Sequence, residues 1–303
     1  MTAAVADASD SLESALERIR AEVDSFLDAL LEVPTDSRAP LYEAMRYAAM
    51  GGGKRLRPLL VVAACDLFHT DRRRALRVGG AVECIHVYSL IHDDLPSMDD
   101  DDLRRGKPTL HKAHGEATAI LAGDSLHALA FQILADEATH EDPFVRSDLV
   151  AELARAAGPA GMAGGQMMDL SSDEAPLDLA AVTRLQQLKT GALIGFCLEA
   201  AAIMARVPPE GRLPLRGYAR DVGLAFQIAD DLLDEEGEEE KTGKKVGKDR
   251  ARGKETFVSL LGRERARQQA QLLIGQAIEH LGRFGAEADL LRAIARFAIE
   301  RDH

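Results

Sequence analysis

The chain has 303 residues and carries 50 acidic against 37 basic side chains, a formal net charge of −13. That excess disfavours a general nucleic-acid or anionic-membrane partner. Aromatics make up 4% of the chain and Trp is absent, while Ala, Leu, Arg and Glu dominate, a composition that favours helix. Cys65, Cys84 and Cys197 lack metal-ligand spacing and lie in apolar runs, so they read as reduced core residues of a cytosolic protein.

Residues 1–10 carry acidic side chains and no apolar core, unlike a signal peptide. No apolar stretch is expected to reach transmembrane length without charge. Leu12, Leu16, Ile19, Val23, Phe26, Leu27 and Leu30 recur with a helical period, predicting a helix over 11–31. After a loop at 34–40, a second helix over 41–50 stops at Gly51-Gly52-Gly53. Pro58 suits the first turn of the next helix, which reaches Phe68. Arg72-Arg73-Arg74 open a long helix ending near Asp93 and read as a solvated face.

Further helices are predicted over 114–136, 143–170 and 179–205, the second loosened by Gly158-Pro159 and Gly164-Gly165. Lys189-Thr190-Gly191 interrupts the third. Beyond a turn at 208–214 comes a helix carrying Asp230, Asp231 and Asp234, then a Gly- and Lys-rich loop over 237–254. One long amphipathic helix and a shorter one complete the chain to Glu300. No stretch alternates as a strand would, and no fixed repeat is present. The expectation is a single all-α domain over 1–303, a large bundle of apolar helices.

Two acidic clusters point to chemistry. Between Asp93 and Asp102 stand six aspartates in ten residues, directly after an apolar run over 81–91. Crowded carboxylates repel unless a cation sits between them, and Mg²⁺ suits one or two carboxylates joined by substrate phosphates. Asp93 and Asp99 would face apart on an unbroken helix, but Pro96 forbids one and bends the chain. That bend brings Asp99 back towards Asp93. In the second cluster Asp230 and Asp234 are four apart and share a helical face with Gln227. A solvated, metal-free helix end would read the same way for either cluster alone; two clusters suggest helices facing one another across a shared metal site.

Cations supply the complement. Gly51-Gly52-Gly53-Lys54-Arg55-Leu56-Arg57-Pro58 sets permissive glycines and three cations at a helix N-terminus, the makings of a phosphate site, although a glycine cap followed by surface cations looks alike. The spacing is not that of a nucleotide-binding P-loop. His86 lies two turns before Asp93 on the same face, where a core histidine would also fit. Lys189 sits in an apolar helix and needs an anionic partner. Lys244, Lys248 and Lys254 follow the second cluster, where they form either a lid over the same phosphate or a solvated loop. A diphosphate held by metal between carboxylates, beside a second anion site, suits heterolysis of a C–O bond to diphosphate. The apolar helices imply a hydrocarbon as the organic half.

These motifs resemble the short-chain trans-prenyl diphosphate synthases, and among them the bacterial farnesyl-forming branch. The resemblance runs from Leu41 to the C-terminus and rests on Gly-Gly-Lys-Arg-Leu-Arg-Pro, the six-spaced aspartates with Arg104-Arg105-Gly106, Gly164-Gly165-Gln166 to Asp169, Lys189-Thr190-Gly191, and Phe226-Gln227 to Asp234. It implies the isoprenoid synthase fold, a helical bundle around a central cavity, as a cytoplasmic homodimer. It also implies Mg²⁺-dependent head-to-tail condensation of isopentenyl diphosphate with dimethylallyl and geranyl diphosphates to give farnesyl diphosphate. Three Mg²⁺ ions are implied on Asp93, Asp99 and Asp230, with Asp234 nearby through water. Lys54, Arg57, His86 and Arg105 match the isopentenyl diphosphate site. Arg104, Lys189, Lys244 and Lys254 match the allylic site, and Thr190 and Gln227 the residues facing the carbocation. Tyr88 and Ser89, five and four residues before Asp93, match positions that go with a fifteen-carbon product. The basic run Lys244-Lys245-Val246-Gly247-Lys248 departs from the family's usual lid. Rival readings are a geranylgeranyl diphosphate synthase, a head-to-head synthase or terpene cyclase, and a non-catalytic regulatory subunit. The cyclase class needs no second diphosphate site, and the regulatory subunit should lack one aspartate cluster. A ferritin-like di-metal protein should show paired Glu-x-x-His motifs, and only Glu83 precedes a histidine in that way.

Overall fold

A computed structural model describes residues 2–172, 176–236 and 254–300. The first helices are α1 (Thr2–Leu30), α2 (Ala39–Ala49), α3 (Leu56–Asp66) and α4 (Arg72–Asp93). Ile19, Val23 and Leu27 recur every four residues on α1 and turn one face into the core. Asp71 caps α4 by accepting from the backbone N–H of Arg73 at 2.9 Å and of Arg74 at 3.2 Å. The solvated arginine face is present, with Arg72 paired to Glu22 and Arg74 to Glu141.

The helix expected over 114–136 is two, α5 (Leu110–His114) and α6 (Glu116–Ala135), broken where Gly115 takes φ +85°. The one expected over 143–170 is α7 (Pro143–Ala157) and α8 (Met162–Ser171), separated at Gly158-Pro159, while Gly164-Gly165 lies inside α8. The third is α9 (Leu179–Gln186), a π-helical turn over Gln187–Gly191, and α10 (Ala192–Met204). The chain continues with α11 (Leu213–Glu236), α12 (Phe257–Leu261), α13 (Arg263–His280) and α14 (Asp289–Glu300). Gly262 separates α12 from the long amphipathic α13.

Helix α10 is the hub. Every residue from Leu193 to Met204 except Gly195 is buried, and the helix packs against α3, α4, α7 and α11. A helix walled in on all sides is apolar on all sides. That corrects one expectation, since Leu179–Met204 and Glu116–Ala135 are both long and apolar enough to cross a membrane by length and composition alone. In the first run the apolar residues from Leu193 to Met204 are those that the surrounding helices cover.

A second correction is the two-stranded antiparallel ladder pairing Leu103 with Pro108 and Arg104 with Lys107. Two residues per strand are too few to show alternation. Its turn, Arg105-Gly106, has φ of +52° and +75°, the pair of positive values that a type I′ hairpin requires. Tyr47 Oη donates to the Pro108 carbonyl at 2.8 Å and ties this hairpin to α2.

One buried ion network joins the N-terminal helices. Arg55 is 2% exposed and sits at the N-cap of α3 with φ +51°. It donates to Glu83 of α4 at 2.7 Å, to Asp24 of α1 at 2.7 and 3.0 Å, and to the carbonyl of Ala49 at the end of α2. Removing one partner of such a group leaves an unpaired buried charge, which costs about 3–5 kcal/mol, whereas replacing the pair with apolar residues is often near neutral. Arg55→Met should therefore lower the unfolding free energy by about that amount, and adding Glu83→Leu should restore part of it. Urea unfolding of both variants checks this; a double variant no more stable than the single would show that Glu83 is not the partner that matters.

Candidate active site

The bend at Pro96 does what the spacing suggested. Asp93 ends α4, the chain doubles back, and the Asp99 backbone N–H donates to the Asp93 carbonyl at 2.8 Å. Burial, with the Asp99 charge adding to it, pushes the Asp93 carboxyl up to about 6 against the pull of Lys189 and Arg104. The cluster then divides. Asp94 is 3% exposed and accepts from Arg104 at 2.6, 2.8 and 2.9 Å, a bidentate pair that fixes the hairpin against α4. Asp102 pairs with Lys112 at 2.8 Å on the surface.

A carboxylate that burial and a like charge drive towards its neutral form favours a cation beside it. The donors are all oxygen, as a hard divalent cation prefers. Among the described residues no group of three or more His, Cys, Asp or Glu side chains is placed to hold a metal ion. Asp230 and Asp234 lie half-buried on α11. Asp231 is turned inward between them, where its Oδ2 accepts from the Phe257 N–H at 2.8 Å and anchors the start of α12.

Lys189 and Thr190 stand in the π turn, a local widening of the helix often found at functional sites. Lys189 donates to Asp169 of α8 at 2.5 Å, and Lys254 donates to the other oxygen of the same carboxylate at 2.8 Å. Burial opposes the Lys189 charge, but Asp169, Asp93 and Asp99 outweigh it and hold the pKa above the usual lysine range. The approach of α8 requires Gly165, because a Cβ there would stand 2.2 Å from the Lys189 backbone nitrogen. Asp169 is the residue that the sequence reading quoted without giving it a role. A lone acid four residues beyond Gly165, on the face turned to a buried lysine, was the available signal. Helix α11 crosses the π turn at Gly223, with Gln227 one turn further on. Lys244, Lys245 and Lys248 lie outside the described residues.

A second cation group gathers around the glycine-rich loop and the hairpin. Lys54 is exposed beside the Phe297 ring of α14, 5.2 Å from its centroid. Arg57 buries its Nε without a hydrogen-bond partner. Arg105, held in the hairpin turn, donates to the Gly52 carbonyl. A Cβ at Gly53 would lie 2.7 Å from the Arg105 guanidinium, and its φ of +132° favours glycine as well. Burial and the guanidiniums of Arg57, Arg105, Arg104 and Arg55 hold His86 well below the usual histidine range. Such a concentration of positive charge attracts anions.

Tyr88 is half-buried, with its ring edge-on to His92 and His127. The Ser89 hydroxyl donates to its own helix at the His86 carbonyl, 2.8 Å away. Cys65, Cys84 and Cys197 are buried, and burial pushes the thiols of Cys84 and Cys197 up to about 12, far from thiolate chemistry.

The Asp93 environment sets a pH dependence. Its folded pKa of about 6 lies above the ordinary 3.8, so the folded chain keeps a proton that the unfolded chain has released. Stability of the metal-free protein should fall as pH rises from about 4 to about 6, by at most about 3 kcal/mol. Asp93→Asn should remove that slope and raise the melting temperature at neutral pH. Thermal unfolding with a chelator across this range decides it, and parallel curves for the two proteins would refute the assignment.

Residues 38–295 match the polyprenyl synthetase family. A farnesyl diphosphate synthase from Escherichia coli is 46% identical over 271 residues, covering 87% of this chain and 90% of that protein. One from Bacillus subtilis is 45% identical over 264 residues, covering 87% and 89%. The crystal structure of an FPP/GFPP synthase from Zymomonas mobilis superposes with a TM-score of 0.88 at 58% identity, covering 95% of this chain and 99% of that one. Arg57 and Arg105 beside His86, and Asp93 and Asp99 acting on Lys189, lie within the matched span, and the chain belongs to the polyprenyl synthetase family.

Proposed function

We infer that this chain is a prenyltransferase that joins isopentenyl diphosphate head-to-tail to dimethylallyl and then geranyl diphosphate, giving farnesyl diphosphate. The observation that carries the reading is the contrast between its two cation groups. Lys189 and Lys254 face the Asp169 carboxylate, whereas Arg57 and Arg105 both bear on His86 and the buried Arg57 Nε has no hydrogen-bond partner. One diphosphate is to be activated and expelled, and the other only held.

The activated diphosphate is the allylic one. Mg²⁺, three ions in this reading, supplies electrostatic stabilisation of the charge growing on the leaving group when bound at Asp93, Asp99 and Asp230. Arg104, Lys189 and Lys254, with Lys244 in the same role, hold the phosphate oxygens as the C–O bond breaks. Thr190 and Gln227 turn their side-chain oxygens to the carbocation. Lys54, Arg57, His86 and Arg105 grip isopentenyl diphosphate so that its double bond meets the cation. A neutral His86 donates one hydrogen bond to that diphosphate from a ring nitrogen. The departing diphosphate takes the proton lost after condensation. Exposed Ile120 and Leu121 on α6, 43% and 56% exposed, support a homodimer. Three buried free thiols support a cytoplasmic location.

Tyr88 closes the hydrocarbon end. It lies five residues before Asp93, well over one helical turn of about 5.4 Å below the diphosphate anchor, and Ser89 beside it leaves the space that the ring bounds. The Zymomonas relative is described as an FPP/GFPP synthase, so chain length is the property to measure first.

Incubation with dimethylallyl and isopentenyl diphosphates and Mg²⁺ should yield a fifteen-carbon product after hydrolysis and chromatography, and no elongation would reject the function. Tyr88→Ala should extend the product to twenty carbons and beyond; an unchanged profile from a folded variant would move the ruler elsewhere. Lys54→Ala should raise the KM for isopentenyl diphosphate roughly ten- to a hundredfold, the loss of a charge-assisted contact of about 1.5–3 kcal/mol, with a smaller effect on the allylic substrate. Equal effects on both would show that the two diphosphate sites are wrongly assigned.

A further inference from the structure

The ring at position 88 is held from outside its own helix. Tyr88 meets His92, one turn on along α4, at 5.6 Å between centroids and 81° between planes. It meets His127 of α6 more closely, at 4.9 Å and 76°. His127 in turn meets Phe131, one turn on along α6, at 5.2 Å and 71°. Four rings thus form an edge-to-face ladder across the α4–α6 interface. The end at His92 is fixed to the α6 backbone, its Nε2 lying 3.2 Å from the Ile120 carbonyl. Phe131, partly buried, backs the other end.

We propose that His127 is a positioning residue that sets product length by fixing the orientation of the Tyr88 ring. The inference rests on the reading of Tyr88 as the floor of the hydrocarbon channel. A floor must resist the pressure of a growing tail, and a tyrosine ring held only by its own helix can turn about χ1 and χ2. Edge-to-face contacts favour one ring orientation over its alternatives. His127 supplies the closer of the two that Tyr88 makes, and it does so from the facing helix. Burial lowers the His127 pKa, with nearby Asp124 opposing and His92 adding to the shift, so the ring is uncharged at neutral pH. An uncharged imidazole stands beside a hydrocarbon without the penalty of burying an ion. Without His127 the one edge-to-face contact left to the Tyr88 ring is that to His92 on its own helix, and the floor becomes movable.

The test compares His127→Ala, His127→Leu and His127→Phe with Tyr88→Ala and the Tyr88→Ala/His127→Ala pair. Products from dimethylallyl and isopentenyl diphosphates are hydrolysed and separated by chain length, and thermal unfolding is followed in parallel. His127→Ala and His127→Leu should raise the ratio of twenty- to fifteen-carbon product roughly two- to twelvefold, the range that one aromatic contact can set. His127→Leu fills most of the volume, so it remains informative where the alanine variant fails to fold. His127→Phe restores an edge-to-face ring and should return the ratio to that of the unaltered enzyme. The double variant should match Tyr88→Ala, since the ladder acts only through that ring. If Tyr88→Ala lengthens the product while folded His127→Leu does not, His127 has no such role and the floor stands without it. If Tyr88→Ala leaves the length unchanged, the reading of the floor falls and this inference with it. Lengthening that His127→Phe fails to reverse would refute the ring contact in favour of simple loosening of the interface.

Discussion

The N-terminal half is organised around a guanidinium taken out of water. Arg55 has partners on α1, on α4 and at the end of α2, and it forms the N-cap of α3 in a left-handed backbone conformation. A buried charge of this kind is tolerated only when its hydrogen bonds are satisfied, so the network over-determines the path of the glycine-rich loop. The middle cation of Lys54-Arg55-Leu56-Arg57 is committed to the fold, while Lys54 lies against the Phe297 ring and Arg57 acts on His86. Glu83, which holds Arg55, sits one turn before His86 on α4. The same contact therefore sets the rotation of the helix that carries His86, Tyr88 and Asp93.

The site built on this frame stores repulsion of both signs. Asp93 and Asp99 crowd each other, and four guanidiniums crowd His86. Each group is unfavourable by itself, and a charge of opposite sign beside it would relieve it. Asp169 shares Lys189 with the first of these groups. By holding Lys189 and Lys254 on opposite oxygens, it gathers two ammonium groups that would otherwise repel. That contact needs the π turn to present Lys189 and a glycine at 165 to let α8 approach. Asp231 completes the support, because its bond to the Phe257 N–H fixes the start of α12 just after Lys254.

The hairpin at Leu103–Pro108 shows how little secondary structure such a site requires. Two paired residues on each side and a turn with two positive φ values present Arg104 to Asp94 and Arg105 to the glycine loop. A left-handed arginine is uncommon, and here it occurs at Arg55, Arg105 and Arg206. Each is held by hydrogen bonds from its guanidinium, so side-chain contacts sustain a backbone conformation that the residue alone would not favour.

The sequence by itself determined the helices, the two aspartate clusters, the cation groups and the return of Asp99 to Asp93. All of these follow from local rules: apolar periodicity, glycine and proline punctuation, and the ban on helix through Pro96. Tertiary structure alone decided the rest. Three cations in four positions are indistinguishable as letters, and only contact with Glu83 and Asp24 turned Arg55 inward. Asp94 and Asp93 are adjacent, yet the hairpin claimed one and left the other facing Lys189. Asp169 gained its lysines from segments 20 and 85 residues away, and Tyr88 its histidine from a neighbouring helix. Local spacing fixes which face of an element a side chain occupies; what stands opposite depends on packing between elements distant in the chain, and no periodicity records it.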